Sequence, residues 1–323
     1  MKSLDIVIPY ILGPEDGLEL RYALRSIEKN IIFNGEVRIF LIGEKPQWIK
    51  NIIHIPVERI SGVKFKAFID TLNKTYIACN HDDLNENFIY SNDDIFFINE
   101  TGFEDIRQTK AITEPENNEN WINELKASEN YKQLLRKTTR KLTEEGLTHY
   151  IYDTHSANVF NKKKFLELYE KYNCKAEPYL FNTLYFNNFT SKAPLILNAD
   201  GASMHLGIYK NESFESLKAK IKNQIFLNYD VARFDADMIK LLDYLFPESS
   251  KYENDDFTPF VKKKLNKVSQ AHLDKLKSSS KNIIDPQGNL VKITKEGSLG
   301  LLALGAKGLI AWRQVRESST QKD

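Results

Sequence analysis

Cysteine is scarce: the 323 residues hold two, Cys79 and Cys174, far apart and outside any CxxC or Cys/His spacing. That excludes a disulfide framework and a cysteine-based zinc site, and it fits a reducing cytosol. Long apolar runs are missing too. No stretch approaches the about 18 residues that span a bilayer, and Met1-Lys2-Ser3-Leu4-Asp5 lacks the apolar core of a secretory signal. The expectation is a soluble, cytoplasmic chain, at most peripheral to a membrane. Neither sign of charge dominates, since 45 basic and 44 acidic residues leave a net charge of +1. No global field then selects polyanions, and a partner has to be recognised locally. Nor does any period of about 20 to 50 residues recur, which excludes repeat architectures. What remains is ordinary soluble composition, 41% hydrophobic and 28% charged, enough for one large α/β domain or two smaller ones.

Strand-like and helix-like segments alternate along the first half. Residues 4–9, 36–42 and 52–57 read as buried strands. A helix after Gly17 places Leu20, Ala23, Leu24 and Ile27 on one face, and a second from about Lys64 does the same with Phe65, Phe68, Ile69, Leu72 and Tyr76. This alternation predicts a mainly parallel sheet flanked by helices, whose ligand sits beyond the carboxyl ends of the strands. Residues 117–145 are polar and helical in pattern and read as an insertion over the site, bounded by about 104 and 147. Further helices are expected at 160–172 and at 234–246, the latter stopped by Pro247. A main domain then covers 1–260, a lysine-rich tether 261–282, and a C-terminal element 283–323. Within that element a hairpin at 283–291 precedes the apolar 297–313, suited to association with a second copy or a partner.

The most informative run is residues 87–98, apolar but for Asn92, Asp93 and Asp94 in its middle. Buried strands avoid carboxylates, so two adjacent ones call for a partner such as a divalent cation or a sugar hydroxyl. A tight Asn-Asp-Asp turn between two strands is the alternative.

These residues carry a resemblance. Leu18 to Lys29, then Pro46-Gln47-Trp48-Ile49, then Tyr90-Ser91-Asn92-Asp93-Asp94-Ile95-Phe96-Phe97 resemble, in order and spacing, the second conserved block of the Stealth proteins, which are sugar-phosphate transferases. Tyr152-Asp153-Thr154-His155 with Val159-Phe160-Asn161-Lys162, and Asn228-Tyr229-Asp230 leading to residues 245–253, are similar to the third and fourth blocks. The first block departs: Ile8-Pro9-Tyr10 runs into Ile11-Leu12-Gly13-Pro14 without the acid that the family carries there. A first strand ending in Ile-Pro-Tyr with an acidic pair on a later strand also resembles GT-A glycosyltransferases. The resemblance therefore implies a GT-A-like, Rossmann-like fold and a metal-dependent glycosyltransferase, with hexose-1-phosphate transfer as the alternative. A non-catalytic carbohydrate- or partner-binding module on the same fold is the third reading.

A nucleotide-sugar donor needs cations aimed at its diphosphate. On this reading Asp93 and Asp94 hold Mn²⁺ or Mg²⁺, while Arg21 and Arg25, four apart on one helix face, clamp phosphate. His155 is the candidate base for the acceptor hydroxyl, oriented by Asp153. Tyr10 offers a ring for stacking. Asn92, the Asp200/His205 cluster and Asp230 complete the donor side, with capping or turn roles as the plainer alternatives for the last three. The acceptor is a glycan, a protein or a nucleic acid.

Overall fold

The apolar run near the N-terminus becomes the central strand of a parallel sheet. The structure, a computed structural model, describes residues 2–13, 17–197, 205–208, 212–229 and 234–254. All of these belong to one unit of the chain, Met1–Phe257. The tether, the expected hairpin and the apolar 297–313 segment lie outside the described residues.

Strand β1 (Ser3–Tyr10) leads into α1 (Leu18–Asn30), β2 (Ile31–Ile32), β3 (Glu36–Gly43), β4 (Ile53–Ile55) and α2 (Lys66–Cys79). Next come β5 (Asn87–Tyr90), β6 (Phe96–Phe97), β7 (Thr101–Gly102), α3 (Phe103–Arg107), β8 (Lys110–Ala111), α4 (Asn118–Glu124) and α5 (Glu129–Glu144). Then follow β9 (Asn158–Asn161), α6 (Lys162–Lys171), α7 (Phe181–Phe189), β10 (Leu195–Ile196), β11 (His205–Ile208), α8 (Phe214–Lys220), β12 (Phe226–Tyr229) and α9 (Ala236–Leu245). The main sheet has the order β4-β3-β1-β5-β9 and is parallel except for β9, which runs antiparallel to β5. A second sheet, β11-β12-β6, pairs β11 parallel and β6 antiparallel to β12. The fold is therefore mixed α/β with a mainly parallel central sheet.

A parallel strand with helices on both faces is mostly apolar, and β1 shows why, its one buried charge, Asp5, being paired with Arg38. Its Val7 packs with Phe40, Leu72, Phe88 and Phe160 on one side. Leu4, Ile6 and Ile8 pack with Leu20, Leu24 and Ile27 of α1 on the other. Helices α4 and α5 fall in the polar stretch and bury Ile122, Leu134 and Leu135 against Ile151 and Leu180, with Phe65 and Phe68 alongside. Ser128 caps α5 by accepting from the Tyr131 amide, and Asn161 caps α6 by accepting from that of Lys164. Among the described residues no helix is long and apolar enough to cross a membrane.

One expectation changes. Residues 87–98 do not form a single strand: β5 stops at Tyr90, β6 belongs to the second sheet, and Asp93 and Asp94 make the turn between them. Ser, Asn and Asp favour such a turn, and the Ile95 amide closes it on the Asn92 carbonyl at 3.4 Å.

Candidate active site

Strand order reverses at β1, which has β3 on one side and β5 on the other. In open parallel sheets a crevice forms beyond the carboxyl ends of the strands at such a point. Here the crevice is a pocket of about 210 Å³ lined by Pro9 at the end of β1 and Ile11 just after it, Asn92, Asp93 and Asp94 after β5, and Asp70, Thr71 and Lys74 of α2. Gly43, at the end of β3, has φ +119; a Cβ there would stand 2.3 Å from the Tyr10 carbonyl and 2.9 Å from Lys74 Cε. Only glycine lets β1 and the lysine approach so closely.

One wall of the pocket is an ion pair, and the other carries two adjacent carboxyl groups. On α2, Lys74 is buried with its ammonium 2.6 Å from Asp70 Oδ2, and it donates to the Tyr10 carbonyl at 3.0 Å. Asp70 Oδ1 accepts from the Ile60 amide at 2.7 Å. Across from them, Asp93 and Asp94 are half-buried, and Asp94 Oδ1 is buried without a hydrogen-bond partner. Burial pushes the Asp93 carboxyl up to about 8, Asp94 and Glu19 push the same way, and Lys74 pulls against them. Asp94 is raised as well, by burial, with His155 opposing. Tyr229 donates to Glu19, and burial, then Glu19, hold its hydroxyl protonated far above the usual range. Burial also raises Tyr90, and Asp153, Asp94 and Asp93 add to it. Ionisation of the carboxyl groups at the turn is thus disfavoured, and too little positive charge lies near to compensate it.

The structure brings Asn92, Asp93, Asp94 and His155 together, with Asp153 close to Tyr90. His155 is exposed and sits at φ 46, a left-handed conformation that a residue with a Cβ adopts under strain. The expected Asp153–His155 contact is not formed. Asp153 Oδ2 instead accepts from Tyr131 Oη of α5 at 2.5 Å. Arg21 and Arg25 also correct the expectation, because the face they share is packed under residues 246–254 rather than opened to the pocket. Arg25 donates to both oxygens of Glu253, at 2.7 and 2.8 Å, and to the Phe246 carbonyl at 3.0 Å. Arg21 pairs with the same carboxylate and lies 4.1 Å over the Trp48 ring. Tyr10 is 2% exposed, its ring part of the core around α1, so its carbonyl and not its ring serves the pocket. His205 opens β11 opposite Phe226. Asp200 and Asp230 lie outside the described residues.

Lys74, Asp70, Glu19 and Tyr229 escape sequence reasoning. Asp70 and Lys74 are spaced i,i+4 like any solvated helix pair, and Glu19 like a first-turn helix acid. Glu19 and Tyr229 lie in stretches that carry the resemblance, but nothing in the sequence singled them out from their neighbours.

No protein-family model matches the chain, and no curated protein matches it. Solved structures with a similar course include the galactosyltransferase LgtC with donor and acceptor sugar analogues, at 12% identity and a TM-score of 0.41, covering 77% of this chain and 98% of that one. An active-site variant of LgtC gives 11% and 0.41 over the same shares. The bifunctional glycosyltransferase WbbM, in its apo form, gives 13% and 0.43 over 75% of this chain and 50% of its own. Values this low carry no functional inference, and the site is read from its own side chains.

Proposed function

We propose that the chain is a metal-dependent glycosyltransferase of the GT-A type, which moves a sugar from a nucleotide-sugar donor to a hydroxyl of a glycan, protein or nucleic-acid acceptor. One observation carries this: adjacent carboxylates at the switch point of a parallel sheet, one with a buried oxygen lacking any partner and the other raised to about 8. Burial without compensation is unfavourable for a carboxylate unless a cation joins it. Asp93 and Asp94 suit a hard divalent cation, Mn²⁺ or Mg²⁺. Among the described residues no group of three or more His, Cys, Asp and Glu converges, so the remaining ligands would come from water and donor phosphate. When bound, such a cation offsets the charge that develops on the leaving diphosphate.

The chain's own groups divide the remaining work. Asn92 and the turn amides orient the donor over β1 and β5. His155, exposed beside Asp94, takes the proton of the acceptor hydroxyl as its oxygen bonds to the sugar's anomeric carbon and the nucleoside diphosphate departs. Two buried free cysteines suit action in a reducing cytoplasm.

A thermal-shift screen of nucleotide sugars with and without Mn²⁺ tests the reading, since a ligand of the folded state raises the midpoint in proportion to its binding. Metal-dependent stabilisation by a nucleotide sugar is expected. Its absence for every donor overturns the proposal. Product mass then separates sugar transfer from the Stealth-type transfer of a hexose 1-phosphate, which adds a phosphate as well.

A further inference from the structure

The Asp70–Lys74 pair is an odd structural salt bridge. Both side chains are almost completely buried, at 1% and 2% exposure, yet the pair forms a wall of an open pocket rather than a sealed core. The ammonium donates one N–H to the Tyr10 carbonyl at 3.0 Å and is ion-paired with Asp70 Oδ2 at 2.6 Å without a hydrogen bond of good geometry between them. Asp70 is itself pinned by the Ile60 amide, so the lysine is held from below with little freedom. The close approach at Gly43 reserves the space its Cε occupies. Opposite stand Asp93 and Asp94, so a ligand lodged between meets two carboxyl groups on the turn and, on α2, an ammonium whose charge Asp70 offsets but whose remaining N–H groups call for an acceptor. A chelated cation carrying a phosphate supplies both, a positive charge for the turn and a phosphoryl oxygen for the ammonium.

The geometry points to Lys74 as the anion anchor of the pocket, its ammonium receiving a phosphoryl oxygen of the substrate, with Asp70 as the positioning residue that aims it. A desolvated, immobilised ammonium gives a charge-assisted hydrogen bond at little entropic cost. The inference deepens the nucleotide-sugar reading, but it depends on that reading only for what the phosphate is attached to.

The test uses inorganic pyrophosphate with Mn²⁺, titrated calorimetrically against the full chain. Lys74→Met alone would strand Asp70, so the paired change Lys74→Met/Asp70→Asn keeps this wall neutral and the fold intact. That variant should bind pyrophosphate about ten- to a hundredfold more weakly, as loss of one charged hydrogen bond implies, with affinity for Mn²⁺ alone unchanged or tighter. Asp70→Asn alone should weaken pyrophosphate binding while Lys74→Arg partly restores what Lys74→Met loses. Wild-type pyrophosphate affinity in the paired variant, or no pyrophosphate binding by the unaltered chain, overturns the assignment. Pyrophosphate binding that requires Lys74 in a chain that binds no nucleotide sugar would leave the anchor standing and remove the transferase reading; donor binding indifferent to Lys74 would do the reverse.

Discussion

At the scale of single residues, the site trades stability for charge placement. Asp94→Asn keeps the volume and removes the charge, so it should abolish Mn²⁺-dependent donor stabilisation. The metal-free midpoint should hold or rise, because the side chain that is lost was buried against its own ionisation. Circular dichroism melts with and without metal and donor read both halves. If metal-dependent donor binding persists, the pair is merely a turn. His155 makes a second case, since its backbone at φ 46 is one that glycine adopts freely. His155→Gly should melt no lower than the parent chain and above His155→Ala by about 1 kcal/mol, while both lower the transfer rate by about 10² to 10⁴ at unchanged donor affinity. A rate that stays at the parent value would reduce His155 to a surface residue.

At the scale of elements, helix α1 shows what periodicity can and cannot reveal. Its apolar face, with Leu20, Leu24 and Ile27, was plain from spacing, and so were β1, β3 and α2 within a few residues of their observed bounds. The partner of its charged face was not, because Glu253 lies more than 220 residues away along the chain. Long-range pairing leaves no local period. The same limit hid Lys74 against Asp93 and Tyr131 against Asp153, and it placed Arg21 and Arg25 at the donor when they belong to the clasp that holds residues 246–254 on α1. Asp93 and Asp94 were legible for the opposite reason: two carboxylates in an apolar run break a local rule that only a turn or a ligand explains. Here they make the turn, and the cation proposed above would give the run its second explanation. The clasp is testable through Glu253, which is 1% exposed and, although burial opposes it, is held below the usual carboxylate range by Arg25, the Ser250 amide and Arg21. Glu253→Gln should cost about 3 to 5 kcal/mol by leaving buried guanidinium charge uncompensated, measured by urea unfolding. Adding Arg25→Met should recover part of that loss. Additive losses would mean the residues do not act as one cluster.

For the whole molecule, the perturbed groups set a stability profile with an unusual minimum. Asp93 titrates at about 8 when folded and near 3.9 when unfolded, so between those values the native chain holds a proton that the unfolded chain has released. Stability therefore falls as pH rises from about 4 to about 8. Lys110 acts above that range: buried with its ammonium on the Ile106 and Gln108 carbonyls, at 3.3 and 2.6 Å, it is lowered to about 8 chiefly by that burial. From about 8 to about 10.5 the unfolded chain binds the extra proton, and stability recovers. The metal-free protein should thus be least stable near pH 8 and gain at pH 5.5. A divalent cation on Asp93 and Asp94 competes with the proton, so added Mn²⁺ should raise the midpoint strongly at pH 8 and little at pH 5.5. Asp93→Asn should make the acidic limb shallower, leaving the part that Asp94 contributes, and weaken the Mn²⁺ response together, whereas Lys110→Met should flatten only the alkaline limb. Differential scanning calorimetry across this range decides the matter. A midpoint that climbs from pH 5.5 to 8 in the absence of metal would show that the Asp93 carboxylate is already compensated in the folded chain, and the case for a cation at the turn would fall with it.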